Sequence, residues 1–172
     1  PGSITDTAGG HHVSVPGLWS RYPVDGLKMT PKGYATYHLV VHLPEGNPVL
    51  GLFCEGQGSA YALYINGRLK GRNGVVGRDR QSMIPGKKPQ TIFFKTDSRQ
   101  INIVMQISNF HHRKGGFRNA LLLGLSQSVH ESQMNNWFVE VFSIGLLFVM
   151  GFYHLFIFAF RTKNRPPLYF AM

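Results

Sequence analysis

The chain is poor in cysteine, in acid and in catalytic signatures. Cys54 is the only cysteine among 172 residues, so no internal disulfide can form and the fold must be held by packing and hydrogen bonds. It lies in the apolar run 49–54 and is expected to be a small core residue. Eight Asp and Glu stand against eighteen Lys and Arg, for a net charge of +10. Seven of those acids (Asp6, Asp25, Glu45, Glu55, Asp79, Asp97 and Glu131) precede the long apolar stretch and fall in no pair of the kind that flanks a glycosidic bond. No GxSxG offers a nucleophilic serine and no GxxxxGK[ST] a phosphate loop. Neither HxH nor HxxxH spacing accompanies His11-His12 or His111-His112, and adjacent histidines on extended backbone point apart. The segment is therefore not expected to be an enzyme, to hold a metal or to need a cofactor. A basic-plus-apolar signal segment is also missing, and Pro1-Gly2-Ser3 is expected to be a tag remnant.

Long apolar runs are scarce too, with one exception. Residues 137–160, WFVEVFSIGLLFVMGFYHLFIFAF, include fifteen Phe, Leu, Val or Ile and no polar face. Twenty-four residues of helix span about 36 Å against a hydrocarbon core of about 30 Å. The apolar sum outweighs Glu140 and His154, each costing about 3 kcal/mol or less and placed toward the ends. Those two are about 21 Å apart along such a helix and cannot pair directly. Arg161, Lys163 and Arg165 follow at once and set the cytoplasmic side by the positive-inside rule. The chain is thus expected to lie in a bacterial inner membrane with everything upstream in the periplasm or outside. Pro166-Pro167 breaks the helix, and 168–172 reads as the start of a truncated second transmembrane segment.

Upstream, the periodicity is two rather than 3.6, with no helical pattern before residue 129. Ala35, Tyr37, Leu39, Val41 and Leu43 alternate with Thr36, His38, Val40 and His42. His38 and His42 are then about 13 Å apart, too far to share one ion, and read as exposed-face residues. Further strands are expected at 13–15, 49–54, 59–65, 90–96, 101–108 and 121–125. Asn66-Gly67 signals a two-residue hairpin turn, because both residues tolerate positive φ. Seven or eight short strands separated by turns predict an all-β domain over 4–130, a β-sandwich or jelly roll, followed by a linker and one transmembrane helix over 131–160.

Fifteen of the eighteen basic residues precede residue 134, giving that part a charge near +8. The excess favours acidic polysaccharide or lipid headgroups, and an extracytoplasmic address excludes nucleic acid as partner. The candidate ligand-binding residues are Trp19 in an aromatic loop with Arg21, Arg80 in a glycine-rich basic loop, and Asn109, His111, His112 and Arg113 in the loop 109–117. Trp19 either stacks on a sugar ring or plugs the end of the sandwich. The loop residues either bond a ligand's hydroxyls or carboxylate or knit the loop itself.

The runs AYALYINGRLKGRNGVVG and QINIVMQISNFHHRKGGFRNALLLG resemble the jelly-roll sugar-binding domain of family 2 glycosidases. Together with the junction GLLFVMGFYHLFIFAFRTKNRPPLYFAM, they more closely resemble the N-terminal ectodomain and first helix of bacterial 7TMR-DISM receptors, seven-transmembrane receptors with diverse intracellular signalling modules. The resemblance covers roughly 12–172, with Ser108, Asn109, Phe110, His112, Arg113, Gly115 and Gly116 matching the family's loop pattern. It implies a sensor of carbohydrate or another small, anionic or neutral, extracellular ligand, six further helices and a cytoplasmic kinase, cyclase or phosphatase. Membrane lipid and a homodimeric partner copy fit that role. The alternative is a membrane-anchored adhesion or assembly module of an envelope complex.

Overall fold

The computed structural model describes residues 9–160 except Asp25 and Asn47. The expected tag remnant, cytoplasmic loop and second membrane segment lie outside the described residues. In chain order the strands are β1 (Gly17–Leu18), β2 (Pro23–Val24), β3 (Leu27–Lys28), β4 (Gly33–His42), β5 (Val49–Cys54), β6 (Ala60–Ile65), β7 (Arg68–Asn73), β8 (Gln90–Lys95), β9 (Gln100–Asn109), β10 (Gly116–Phe117) and β11 (Leu121–Leu125). One helix, α1 (Ser126–Phe160), follows. The chain divides after Val129 into two compact units.

The first unit is a β-sandwich of a four-stranded sheet, β4-β9-β6-β7, and a three-stranded sheet, β11-β5-β8, antiparallel throughout. Alternation decides which side chains meet. Leu50, Leu52 and Cys54 of β5, with Ile92 and Phe94 of β8, join one apolar cluster with Tyr61, Leu63 and Ile65 of β6 and Ile101, Ile103, Met105 and Ile107 of β9. Cys54 is fully buried there. Asn66 (φ 49°) and Gly67 (φ 75°) make the expected tight turn between β6 and β7. The Asn66 carboxamide oxygen accepts the Asn102 N–H at 2.9 Å, tying that turn to β9.

Two expectations differ from the structure. Residues 13–15 form no strand, and β1 begins only at Gly17. The helix begins at Ser126, well before the apolar stretch, because a helix once nucleated extends through polar residues at little cost and needs no apolar period to do so.

With no disulfide, buried carboxamides fasten the loops. The fully buried Gln57 accepts N–H groups from Arg118 at 2.6 Å and Asn119 at 3.1 Å, and donates to the Asn119 carbonyl at 2.9 Å. Asn119 returns a bond to the Gly56 carbonyl at 2.7 Å. Asn73 likewise donates to the Lys88 carbonyl at 2.7 Å. One short side chain thus satisfies several main-chain groups that would otherwise be buried bare. By contrast the Arg99–Glu45 ion pair, at 2.5 Å, is widely exposed and contributes about 1 kcal/mol at most.

Val129, in the first turn of α1, is buried within this unit. Gly51 and Gly124 face each other across β5 and β11. A Cβ on Gly51 would stand 3.1 Å from Val129 Cβ, and one on Gly124 3.5 Å from Val129 Cγ2. The paired glycines leave a notch that the valine fills.

Gln57→Leu keeps the volume but strands three main-chain groups, which costs roughly 2–4 kcal/mol. Thermal unfolding of the purified chain should show a melting temperature lower by several degrees, and an unchanged one would remove the staple role.

Candidate ligand-binding surfaces

Register brings several loops to one end of the sandwich. Gly33 of β4 and Ala60 of β6 both lie at the C-terminal end of β9, opposite Asn109 and Ser108 respectively. Asn109 is fully buried, and its Nδ2 donates to the carbonyls of Pro31 at 2.8 Å and His112 at 2.9 Å, while Oδ1 accepts the His112 N–H at 3.0 Å. It thereby closes its own loop and pins the loop before β4. Ser108 Oγ accepts the Gly77 N–H at 3.2 Å, and the buried Met83 sulfur accepts the Phe110 N–H at 3.3 Å, drawing the glycine-rich loop 74–88 against loop 109–116.

Trp19 plugs this end from within. It is 5% exposed, its Nε1 donates to the Tyr37 hydroxyl at 2.8 Å, and its main-chain N–H reaches the Gly115 carbonyl at 3.0 Å. Gly115 has no room for a side chain, since a Cβ would lie 2.6 Å from the indole and 2.1 Å from the Pro31 carbonyl oxygen. Tyr37 meets Phe117 edge to face at 5.2 Å, and burial pushes its phenol pKa up.

Above that plug lie cationic side chains. Arg80, His111, Arg113 and Lys114 are exposed, and His112 is half-buried. The Arg78 guanidinium carbon stands 5.9 Å from the Tyr34 ring centre, within range of a cation–π contact. Asp79, the acid between the two arginines, turns to its own loop: Oδ1 accepts the N–H groups of Ser82 at 2.7 Å and Gln81 at 2.9 Å, and the Ser82 hydroxyl at 2.8 Å. The Ser82 N–H, with that hydroxyl and the Gln81 N–H, holds the carboxyl below its usual range. Of the six residues singled out from sequence, Trp19 and Asn109 therefore lie beneath the loops and position them. Arg80, His111 and Arg113 present side chains to solvent, and His112 does both in part.

A second surface was not legible in the sequence. On the outer face of the four-stranded sheet a shallow depression of about 390 Å³ opens near the N-terminal end of β9. Val104, nearly fully buried, forms its floor, and His38, Asn102, Gln100, Ser98 and the Asn66–Gly67 turn form its walls. His38 Nε2 is 3.3 Å from Asn102 Oδ1, and Ser98 Oγ bonds the Gln100 main chain at 2.7 Å and 3.2 Å. The sequence signal was the polar alternation of Asn102 with Ile101 and Ile103. Only the register of β4, β6 and β9 shows which neighbours Asn102 meets. β9's ten residues separate this depression from the basic end by roughly 20–30 Å.

No protein-family model and no curated protein matches the chain. Among solved structures it is similar to a β-glucuronidase of Bacteroides uniformis, at 16% identity over 70% of this chain and 15% of that one, with a TM-score of 0.50. Further likenesses are to the β-glucuronidase of Ruminococcus gnavus, at 14% identity over 64% of this chain and 22% of that one with a TM-score of 0.49, and to a GH2 β-galacturonidase of Eisenbergiella tayi bound to galacturonate, at 16% identity over 64% and 20% with a TM-score of 0.46. The first likeness shows a shared β-fold. The chain spans less than a quarter of the length of each of these enzymes.

Asp79 has a lower pKa folded than unfolded, so its contribution to loop order is complete above the ordinary aspartate value of 3.8 and is lost as pH falls through the folded value. In an NMR pH titration the Ser82 and Gln81 amide protons should therefore move together below pH 3.8, and Asp79→Asn should abolish that movement. Amide shifts that titrate at the ordinary value would show that the carboxylate makes no such bonds.

Proposed function

We propose that the chain is the extracytoplasmic ligand-sensing head and first membrane helix of a bacterial signalling receptor of the 7TMR-DISM kind. The observation that carries this reading is continuity: β11 ends at Leu125, and the next residue opens a helix of 35 residues that is long and apolar enough to cross a membrane. From Trp137 onward its large apolar side chains are exposed on every side, among them Phe138, Val139, Leu146, Leu147, Phe148 and Val149. A solvated helix carries a polar face, and this one has none, so lipid is its natural solvent.

In this reading the β-sandwich is a jelly roll, and carbohydrate is its ligand class because the fold likeness reaches a domain of a β-glucuronidase. Arg80, His111, His112 and Arg113 contact the ligand at the basic end, where the forked guanidinium of Arg113 suits a carboxylate. Trp19 and Asn109 hold those loops in place. A ligand acts on the output only through unequal affinity for two arrangements of the receptor, for instance two packings of a homodimer. The first helical turn, seated through Val129 on the three-stranded sheet, is where a change in that sheet would reach the helix.

The reading is tested by expressing the native full-length protein in a bacterial host and washing its membranes with alkaline carbonate. The chain should remain in the membrane pellet, as an integral protein does. Release into the supernatant would overturn the receptor reading.

A further inference from the structure

The depression on the outer sheet face carries an inference separate from the basic end. Its wall groups are neutral carboxamides, a hydroxyl and an imidazole, with no carboxylate, ammonium or guanidinium among them. Its size falls at the lower end of small-molecule sites. The walls are also preorganised. Asn66 Oδ1 accepts the Asn102 N–H at 2.9 Å, the Asn66 N–H reaches the Asn102 carbonyl at 2.9 Å, and the Ser98 hydroxyl is fastened to Gln100. These bonds use main-chain groups and the oxygen of Asn66. They leave the carboxamide NH₂ groups of Asn66 and Asn102, and the Gln100 side chain, free to turn toward a ligand over the apolar floor of Val104.

We propose that this depression is a binding site for a neutral sugar. A pyranose is a disc with apolar C–H faces and a rim of hydroxyls that both donate and accept. An apolar floor ringed by carboxamides, which also donate and accept, complements both parts. A uronate or sulfated sugar would find no guanidinium or ammonium among the walls to balance its charge, and desolvating that charge would cost affinity. The inference goes beyond the receptor reading, because sugar binding can be measured whatever membrane the helix crosses.

The test titrates the detergent-solubilised chain with glucose, galactose, mannose and N-acetylglucosamine, and with glucuronate and galacturonate as charged counterparts. Binding is followed by calorimetry and by the side-chain NH₂ resonances in NMR spectra. At least one neutral sugar should bind saturably and should shift the Asn102 and Gln100 side-chain signals, which its uronate should shift less. Asn102→Ala and Gln100→Ala keep the main-chain bonds of the turn and should each weaken binding about three- to tenfold with an unchanged melting temperature. Lys28→Ala, an exposed change on β3, should leave it unchanged. The inference is overturned if no neutral sugar binds, if the uronate moves the Asn102 and Gln100 signals as strongly, if a neutral sugar moves only the signals of the 109–116 loop, or if either alanine variant binds the neutral sugar as the parent does.

Discussion

The structure depends on a valine resting between two glycines. Gly51 and Gly124 are direct partners across β5 and β11, and Val129 occupies the space that their missing side chains leave. Burying a valine side chain contributes roughly 1.5–3 kcal/mol, a sizeable fraction of the roughly 5–15 kcal/mol by which small domains stay folded. Because β11 ends at Leu125 and α1 begins at Ser126, no linker relieves that contact. The first turn of the helix is thus part of the β-domain's surface, and a larger residue at either glycine would have to displace it. In the proposed receptor this contact joins sensing to the membrane.

Around that joint the domain is held by amides where disulfides would otherwise serve. Gln57 links the 55–59 loop to the turn before β11, Asn73 fastens the start of the long basic loop to its end, and Asn109 binds the loops that flank Trp19. Each is buried, so each bond forms in a low-dielectric setting where leaving it unmade is costly. The result is two rigid but chemically different surfaces. The end where β9 finishes is crowded with Arg78, Arg80, Arg113 and Lys114, while the depression where β9 begins is lined by neutral groups. The charge excess of the sequence is therefore not spread evenly.

Much of this architecture is written in local pattern. Period-two alternation located β4, β6 and β9, and short apolar stretches between turns located β5, β8 and β11, all to within a residue or two, while Asn66-Gly67 marked its turn, because strand and hairpin signals are contained in a few adjacent residues. Helix start and site were less legible. Residues 126–136 carry no apolar period, so nothing local distinguished them from a linker. Gln57 and Asn73 gave no sign of burial, since their partners lie 62 and 15 positions away. Trp19 and Asn109 stood out as candidates by residue type, and the structure places both below the surface, where their polar atoms bond to Tyr37 and to main chain. The depression needed the register of three strands at once, which no single stretch of sequence contains.

The central claim is that a β-sandwich outside the cytoplasm is joined without a break to a helix that crosses the membrane. The most direct measurement places a single reactive thiol on the basic end, by Arg113→Cys in a full-length protein whose other exposed cysteines have been replaced, with the buried Cys54 as a silent background. A membrane-impermeant maleimide is then applied to intact spheroplasts. The account predicts labelling without lysis, at the level seen after lysis, and none in the parent protein. Labelling that appears only once the membrane is broken would put the β-domain on the cytoplasmic side and contradict it.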